Sequence, residues 1–350
     1  MQHFYFRGLL GLCLLAAFLL ALPSCSNPQA SNEAVAGSVL NQLRQQTSEM
    51  SALGMTRRGD MASFSASWDA PEVVRVPMLR VHDLPAVACY INGRDAVPVI
   101  VDSGSQGCVL EASTAVAKHV RIVNPSEARF TLSGIAGTEF ALMGLPDLVT
   151  IGEWKLSRFP VLVRTHQSHV STGIPFFQRR FHFNVWGMDP IHRLCSYLTL
   201  DYPKSEVSFG FGKTYHPEHK LSWRSPLKFK MGLPVVRLRS GGHSWDAIVD
   251  TGASSLLEID DATATRLHLH QKAQPAEATR VGVGGGGGEG KVVMTEMAQL
   301  PKLEGLGPEM ENIDALLVSD YSKVGTGLLS AFRITLDFSR GEIWLEDVRT

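Results

Sequence analysis

One short pattern occurs twice in this chain of 350 residues, and its surroundings recur with it. An apolar run enters Asp102-Ser103-Gly104-Ser105, and a second enters Asp250-Thr251-Gly252-Ala253, with the two aspartates 148 residues apart. A helix-prone segment follows each motif, at 113–119 and near 260–267. A glycine-bearing turn lies 32 residues after each aspartate, at Gly134 and Gly282.

The two copies also end alike. Each has an apolar-glycine step, Trp186-Gly187-Met188 and Thr326-Gly327-Leu328, and each closes on two strand-like segments. The closing segments are 198–202 with 207–209 and 334–338 with 343–345. Features that recur in one order indicate an internal repeat. We therefore predict an all-β chain with related halves at 73–212 and 225–350, joined by a linker at 213–224 that is rich in turn-forming residues.

Composition excludes some classes of partner and scaffold. The chain has 33 basic and 34 acidic side chains, so its net charge of −1 provides no positive surface for a phosphate backbone, and we expect no nucleic-acid partner. Five cysteines are too few for a disulfide-rich scaffold. The length is sufficient for two domains with their own apolar cores.

The amino terminus reads as an export signal. Residues 8–22 form an uncharged apolar run, which suits the core of a signal peptide better than a membrane span of about 20 residues. We predict a signal peptide at 1–24. The end of the run, Leu22-Pro23-Ser24-Cys25, resembles the bacterial lipoprotein signal, which implies lipidation of Cys25. The alternative is a plain secretory signal with an incidental cysteine.

The segment 25–72 is predicted to be a tether. It is rich in Ser, Asn, Gln, Ala and Met and has no strand-like alternation. Val35, Val39 and Leu43 recur at intervals of four, which is compatible with a short helix between 34 and 53.

The repeated aspartates carry the chemistry. A carboxylate at the end of a buried strand needs polar partners, and a glycine two residues later lets backbone amides approach it. Taken singly, either motif is an ordinary strand-to-turn ending. If the two halves pack about a pseudo-twofold axis, Asp102 and Asp250 come face to face and cannot both ionise freely. They would then share one proton and hold a water molecule between them as nucleophile.

At these residues the chain resembles the retropepsin-like and pepsin-like aspartic peptidases, over about 73–346. The resemblance implies a bilobal acid-protease fold, in which two related β-barrel-like lobes enclose a substrate cleft. It implies that Asp102 and Asp250 form the catalytic dyad, and that the hydroxyls of Ser103 and Thr251 lock the two active-site loops together. Each half has the shorter retropepsin-like layout, and one chain carries both, as a monomer with an internal pseudo-dimer.

The resemblance also implies a mobile flap over the cleft. Its candidates are the glycines of 130–137 and 281–288, among them Gly134, Gly137, Gly282 and Gly284. Glycine adopts turn geometries without steric cost, which suits a hairpin that opens for substrate. A plain surface loop is the alternative. Neither segment contains the flap tyrosine of pepsin-like enzymes, and no Lys-Ser/Thr follows the glycines as in a phosphate-binding loop.

The residue after the motif glycine differs between the halves. Ser105 can donate a hydrogen bond to Asp102, whereas Ala253 offers Asp250 no such donor. Because a hydrogen bond to the ionised form favours that form, we expect Asp102 to be the more readily ionised member.

Other clusters carry less information. The histidine pairs 166/169, 216/219 and 268/270 have no complete metal-ligand set, and we expect neither a metal nor an organic cofactor. Cys89, Cys108 and Cys195 either include one disulfide or are three buried thiols. Trp186 is expected in the core, and the strand-end aspartates 201 and 337 are expected to bind local amides.

Together these patterns favour an aspartic endopeptidase, anchored by a lipid in a bacterial cell envelope and facing the periplasm or the cell exterior. Its partners would be a peptide or protein substrate and the membrane. The alternative is a catalytically inactive peptide-binding lipoprotein on the same fold. Because a pure binder has no physical need for two apposed carboxylates, the retention of both motifs favours the enzyme.

Overall fold

The computed structural model describes residues 28–58, 61–63, 66–127, 130–134, 137–165, 168–171, 178–181, 183–280 and 289–348. Strands account for 49% of the chain and helices for 12%, which confirms the predicted all-β class. Most strands belong to two large sheets, of 13 and 15 strands. Within the described ranges, no helix is long and apolar enough to cross a membrane.

An amino-terminal segment packs against the first repeat. Its elements are α1 (Pro28–Gln45), β1 (Thr47–Ser48), β2 (Thr56–Arg58), β3 (Met61–Ser63) and β4 (Ser67–Asp69).

The side chains of Leu43, Met50, Leu53 and Met55 in this segment are buried. The last three pack on apolar side chains of the first repeat. The prediction of a tether is therefore wrong for 43–55. Leu43 belongs to the pattern that predicted a short helix and lies in α1, whereas Met50, Leu53 and Met55 follow the helix in turns and loop, so no regular period revealed these three.

The first repeat follows directly. Its elements are β5 (Val73–Pro77), β6 (Leu79–Val81), β7 (Leu84–Ile91), β8 (Val97–Val101), β9 (Val109–Glu111), α2 (Ala112–Ala117), β10 (Arg121–Val123), β11 (Phe130–Gly134), β12 (Gly137–Leu145), β13 (Leu148–Ile151), β14 (Trp154–Ser157), β15 (Val161–Arg164), β16 (Ser168–Ser171), β17 (Gln178–Phe181), β18 (Val185–Trp186), α3 (Met188–Leu194), β19 (Tyr197–Asp201) and β20 (Glu206–Gly210).

The second repeat begins at Ser222, inside the segment predicted as a linker. Its elements are β21 (Ser222–Lys230), β22 (Leu233–Ser240), β23 (His243–Val249), β24 (Leu257–Asp260), α4 (Asp261–Arg266), β25 (Gln274–Arg280), β26 (Glu289–Leu303), β27 (Met310–Val318), β28 (Lys323–Val324), α5 (Thr326–Leu329), β29 (Arg333–Asp337) and β30 (Glu342–Glu346).

Strand pairing confirms the internal repeat. The order β7-β8-β18-β9-β15-β12 in the first half matches β22-β23-β28-β24-β27-β26 in the second. Both predicted helices after the motifs are present as α2 and α4. The side chain of Asp260 accepts the amide N–H of Thr263 and so caps α4.

One six-stranded run, β5-β20-β19-β29-β30-β21, joins the halves. Its two central strands, β19 and β29, pair antiparallel. Every residue of both strands is buried. Because alternate side chains of a strand point to opposite faces, both faces of the run are covered at its centre. The predicted closing strands of the two repeats thus lie side by side.

Aromatic residues fill the core of the first repeat beneath its motif. Trp154 is fully buried and lies edge-on to Trp186, with ring centroids 5.8 Å apart. Phe209 and Phe211 pack on the same indole at 5.1 and 5.3 Å. Trp186 is therefore a core residue, as expected.

Candidate functional site

Both motif aspartates lie where a buried strand ends in a tight turn. β8 leads into Asp102 and β23 into Asp250. In each turn a carboxylate oxygen accepts the amide N–H of the glycine two residues later. The distances are 2.8 Å from Gly104 N to Asp102 Oδ1 and 2.9 Å from Gly252 N to Asp250 Oδ1. These glycines thus bring backbone amides to the carboxylates, as expected.

The second residue of each motif binds the strand that leads into the other motif. Ser103 Oγ donates to the carbonyl oxygen of Val249 at 2.5 Å, and Thr251 Oγ1 donates to that of Val101 at 2.6 Å. In return, Ser103 N–H donates to Thr251 Oγ1 at 2.9 Å, and Thr251 N–H donates to Ser103 Oγ at 3.0 Å. Both side chains are fully buried, so these four bonds hold the turns in one relative position.

Each carboxyl group lies over the glycine of the opposite motif. A Cβ atom on Gly104 would overlap the carboxyl of Asp250, and one on Gly252 would overlap the carboxyl of Asp102. The two glycines are therefore required by the close approach of the aspartates. The sequence predicted this juxtaposition from the repeat alone.

Burial, together with the charge of Asp250, raises the pKa of Asp102 to about 8. The amide of Gly104 and the charge of Lys323 act in the opposite direction but do not cancel this rise. Since the two carboxyls interact strongly, they titrate as a pair. With its pKa raised to about 8, Asp102 holds a proton at neutral pH.

A lysine that the sequence analysis did not single out lies beside the pair. Lys323 Nζ is 3.3 Å from Asp250 Oδ2, and 11% of its side chain is exposed. Burial works to lower the pKa of Lys323, but the charges of Asp250, Glu258 and Asp320 raise it, so the side chain remains a cation. The equivalent position near Asp102 has no lysine. Val185 pairs with β8 in the first repeat as Lys323 pairs with β23 in the second.

The apolar-glycine step of the second repeat is displaced by two residues from the prediction. Met188 N–H donates to Ser105 O at 2.9 Å, and the matching bond runs from Thr326 N–H to Ala253 O at 2.7 Å. The counterpart of Gly187 is therefore Gly325, not Gly327.

A Cβ on Gly187 would overlap the carbonyl of Gly107, and one on Gly325 would overlap that of Ser255. Both positions therefore need glycine for the same steric reason. In this alignment Lys323 is the counterpart of Val185. Moving the second apolar-glycine step by two residues would have identified Lys323 from the sequence.

The expected role of Ser105 is wrong. Its hydroxyl donates to the carbonyl oxygen of Gly107 at 3.0 Å, within its own turn, and not to Asp102. Ala253, as predicted, offers no side-chain donor. The asymmetry of the dyad arises instead from Lys323, which lies next to Asp250.

The first flap candidate is a hairpin. β11 and β12 pair antiparallel, with Gly134 opposite Gly137 at the described end. The second lies between β25 and β26, where Gly282 and Gly284 are outside the described residues. Cys25 also lies outside them.

The other candidates have structural roles. Cys89, Cys108 and Cys195 are free and buried, which settles the open question of their pairing. Asp201 accepts the amide N–H of Lys204, and Asp337 accepts that of Ser339, as expected. In the described part of the chain, no group of three or more His, Cys, Asp or Glu side chains could hold a metal ion.

No protein-family model matches this chain, and no curated protein matches it. What the site can do chemically is therefore inferred from its geometry. A buried pair with one proton, held by reciprocal hydrogen bonds, can accept a proton at one oxygen and donate one at another.

Proposed function

We propose that this chain is an aspartic endopeptidase with the bilobal acid-protease fold, in which each repeat forms one lobe and supplies one dyad aspartate. The observation that carries the proposal is the reciprocal placement of Asp102 and Asp250 over the glycines of the opposite motifs. The four hydrogen bonds of Ser103 and Thr251 support it, because they fix two carboxyls that would otherwise repel each other.

In the proposed reaction, the ionised carboxylate takes a proton from a water molecule as its oxygen attacks the carbonyl carbon of a peptide bond. The protonated carboxyl gives its proton to the carbonyl oxygen, and a neutral gem-diol forms. The dyad then gives a proton to the amide nitrogen and takes one from the diol as the C–N bond breaks. The products are a carboxylic acid and an amine, and the dyad again holds one proton.

The ion pair between Lys323 and Asp250 supports a second candidate, a peptide-binding protein on the same fold. A lysine that holds one carboxylate in a fixed pair can make that carboxylate a weaker base. Such a protein would bind extended peptides in the same cleft without hydrolysing them.

Incubation with an unfolded protein separates the two candidates. We expect the full-length protein, purified in detergent, to generate new amino termini that mass spectrometry detects, and a statine-containing peptide to inhibit this cleavage. Asp102→Asn serves as the inactive control. Binding of the statine peptide without any cleavage from acidic to mildly alkaline pH would support the binding protein and refute the peptidase.

A further inference from the structure

The two halves of the dyad have unequal neighbours. Lys323 in β28 and Glu258 in β24 are directly opposite each other in an antiparallel strand pair beside Asp250. In the first repeat, the same pairing brings together Val185 and Val109. Val109 is therefore the counterpart of Glu258. The charged pair therefore exists only in the second repeat.

Lys323 is surrounded by carboxyl groups. The charges of Asp250, Glu258 and Asp320 all raise its pKa, and Asp250 has the largest effect of the three. Ser255 Oγ donates to Glu258 Oε1 at 3.0 Å, and burial raises the pKa of Glu258 although Lys323 opposes the rise. The charge of Asp250 also acts on the buried hydroxyl of Tyr202, whose pKa burial raises.

The ammonium group of Lys323 contacts one carboxylate oxygen of Asp250, whereas it acts on Asp102 through its charge alone. Asp250 Oδ1 is occupied by Gly252 N–H, and Lys323 Nζ approaches Oδ2. Both side chains are almost excluded from solvent, with 11% and 9% exposed, so screening by water and salt is weak. A cation at this distance stabilises the negative form of its neighbour.

We propose that Lys323 is a positioning residue that keeps Asp250 as the ionised base of the dyad and leaves the shared proton on Asp102. This inference rests on the proposed peptidase function for its kinetic consequences, but not for its electrostatic ones. Asp250 would take the proton from the attacking water, and Asp102 would protonate the carbonyl oxygen. The same charge extends activity toward lower pH than the isolated pair would permit.

The kinetic test compares pH profiles of kcat/KM. In Lys323→Met, the acidic limb should move to higher pH by about one unit or more, because an adjacent opposite charge typically lowers a carboxyl pKa by about one to three units. Lys323→Arg should restore most of the wild-type profile. Lys228→Met, which removes an exposed lysine of the same repeat, should leave the profile unchanged. Superimposable profiles for the wild type and Lys323→Met would overturn the proposal.

Glu258→Gln provides a second variant, in which Lys323 itself is unchanged. It removes a carboxylate that competes with Asp250 for the charge of Lys323, so the acidic limb should move to lower pH. A shift to higher pH would contradict the proposal.

A readout without turnover separates this inference from the proposed function. Carboxyl carbons of ¹³C-labelled aspartate report ionisation directly, and the dyad signals are those lost in Asp102→Asn and Asp250→Asn. We expect the first ionisation to belong to the Asp250 signal and to move to higher pH in Lys323→Met. If the Asp250 signal behaves in this way in a protein that cleaves no peptide, the proposed peptidase function is refuted and the role of Lys323 is retained. An Asp102 signal that ionises first would refute the role of Lys323.

Discussion

The hydroxyl groups of Thr199 and Thr335 are 2.8 Å apart at the centre of the strand pair that joins the two repeats. Thr199 is opposite Thr335 in the antiparallel register, and the residues on either side pair in mirrored order. The local twofold relation between the halves therefore passes close to this hydrogen bond. Because the bond is buried, its two partners are expected to stabilise the chain together.

Replacing these threonines should reveal their coupling. Either single valine variant leaves the other hydroxyl buried without this partner, at a cost of about 1–3 kcal/mol in the free energy of unfolding. The double valine variant removes both hydroxyls, so we expect it to lose less than the sum of the two single losses. Urea unfolding measures all three, and additive losses would contradict the coupling.

Removing either dyad carboxyl should abolish peptidase activity. Asp102→Asn and Asp250→Asn remove one half of the acid-base pair with little change of shape, so we expect kcat to fall by at least about 10²–10⁴-fold. Cleavage of a fluorogenic peptide measures the loss. Asp314→Asn, at an exposed carboxylate of β27, is the matched control. Normal cleavage by either dyad variant would mean that the reaction does not use the pair.

Asp102→Asn should also flatten the dependence of stability on pH. Folding raises the pKa of Asp102 from 3.8 to about 8, so between these values the folded chain holds a proton that the unfolded chain has lost. The stability due to this group is complete below the lower value and is lost as pH rises through the higher one. Asparagine does not titrate.

The Tm of Asp102→Asn relative to the wild type should therefore increase between acidic and mildly alkaline pH, as measured by differential scanning calorimetry. Asp314→Asn should show no such trend. Parallel curves of Tm against pH for wild type and Asp102→Asn would contradict the raised pKa.

The amino-terminal segment should contribute to stability. Leu53 is 2% exposed in a cluster with five other apolar side chains. Leu53→Ala should lower the free energy of unfolding by about 2–5 kcal/mol, because it leaves a cavity in this cluster. Ser51→Ala, at an exposed position two residues away, should change it by less than about 0.5 kcal/mol. Equal stability of the two variants would mean that the segment is a tether after all.

Lipidation of Cys25 would retain the chain at a membrane. A Cys25→Ser variant expressed in a bacterial host should move from the membrane fraction to the soluble periplasmic fraction. Cys13→Ser keeps the proposed modification site and should fractionate as the wild type does. If Cys25→Ser remains in the membrane fraction, an uncleaved amino-terminal anchor would explain it better.

The repeat was sufficient to locate Asp102, Asp250 and the hydroxyls of Ser103 and Thr251. Such features are local, because an apolar strand that ends in an aspartate and a glycine specifies its own turn. The spacing of the two copies then predicted which residues face each other. The same local patterns predicted α2, α4 and the closing strands.

Only the tertiary structure revealed the neighbours of these groups. Lys323 reaches Asp250 because β28 pairs with β23, whereas the sequence alignment of the two apolar-glycine steps placed it two residues out of register. The hydroxyl of Ser105 donates to the carbonyl oxygen of Gly107 rather than to Asp102. Leu53 packs on apolar side chains that are distant from it in sequence. The physical reason is the same for Lys323 and Leu53. A local pattern determines strands and turns, whereas the surroundings of a buried charge or side chain depend on segments that are distant in sequence.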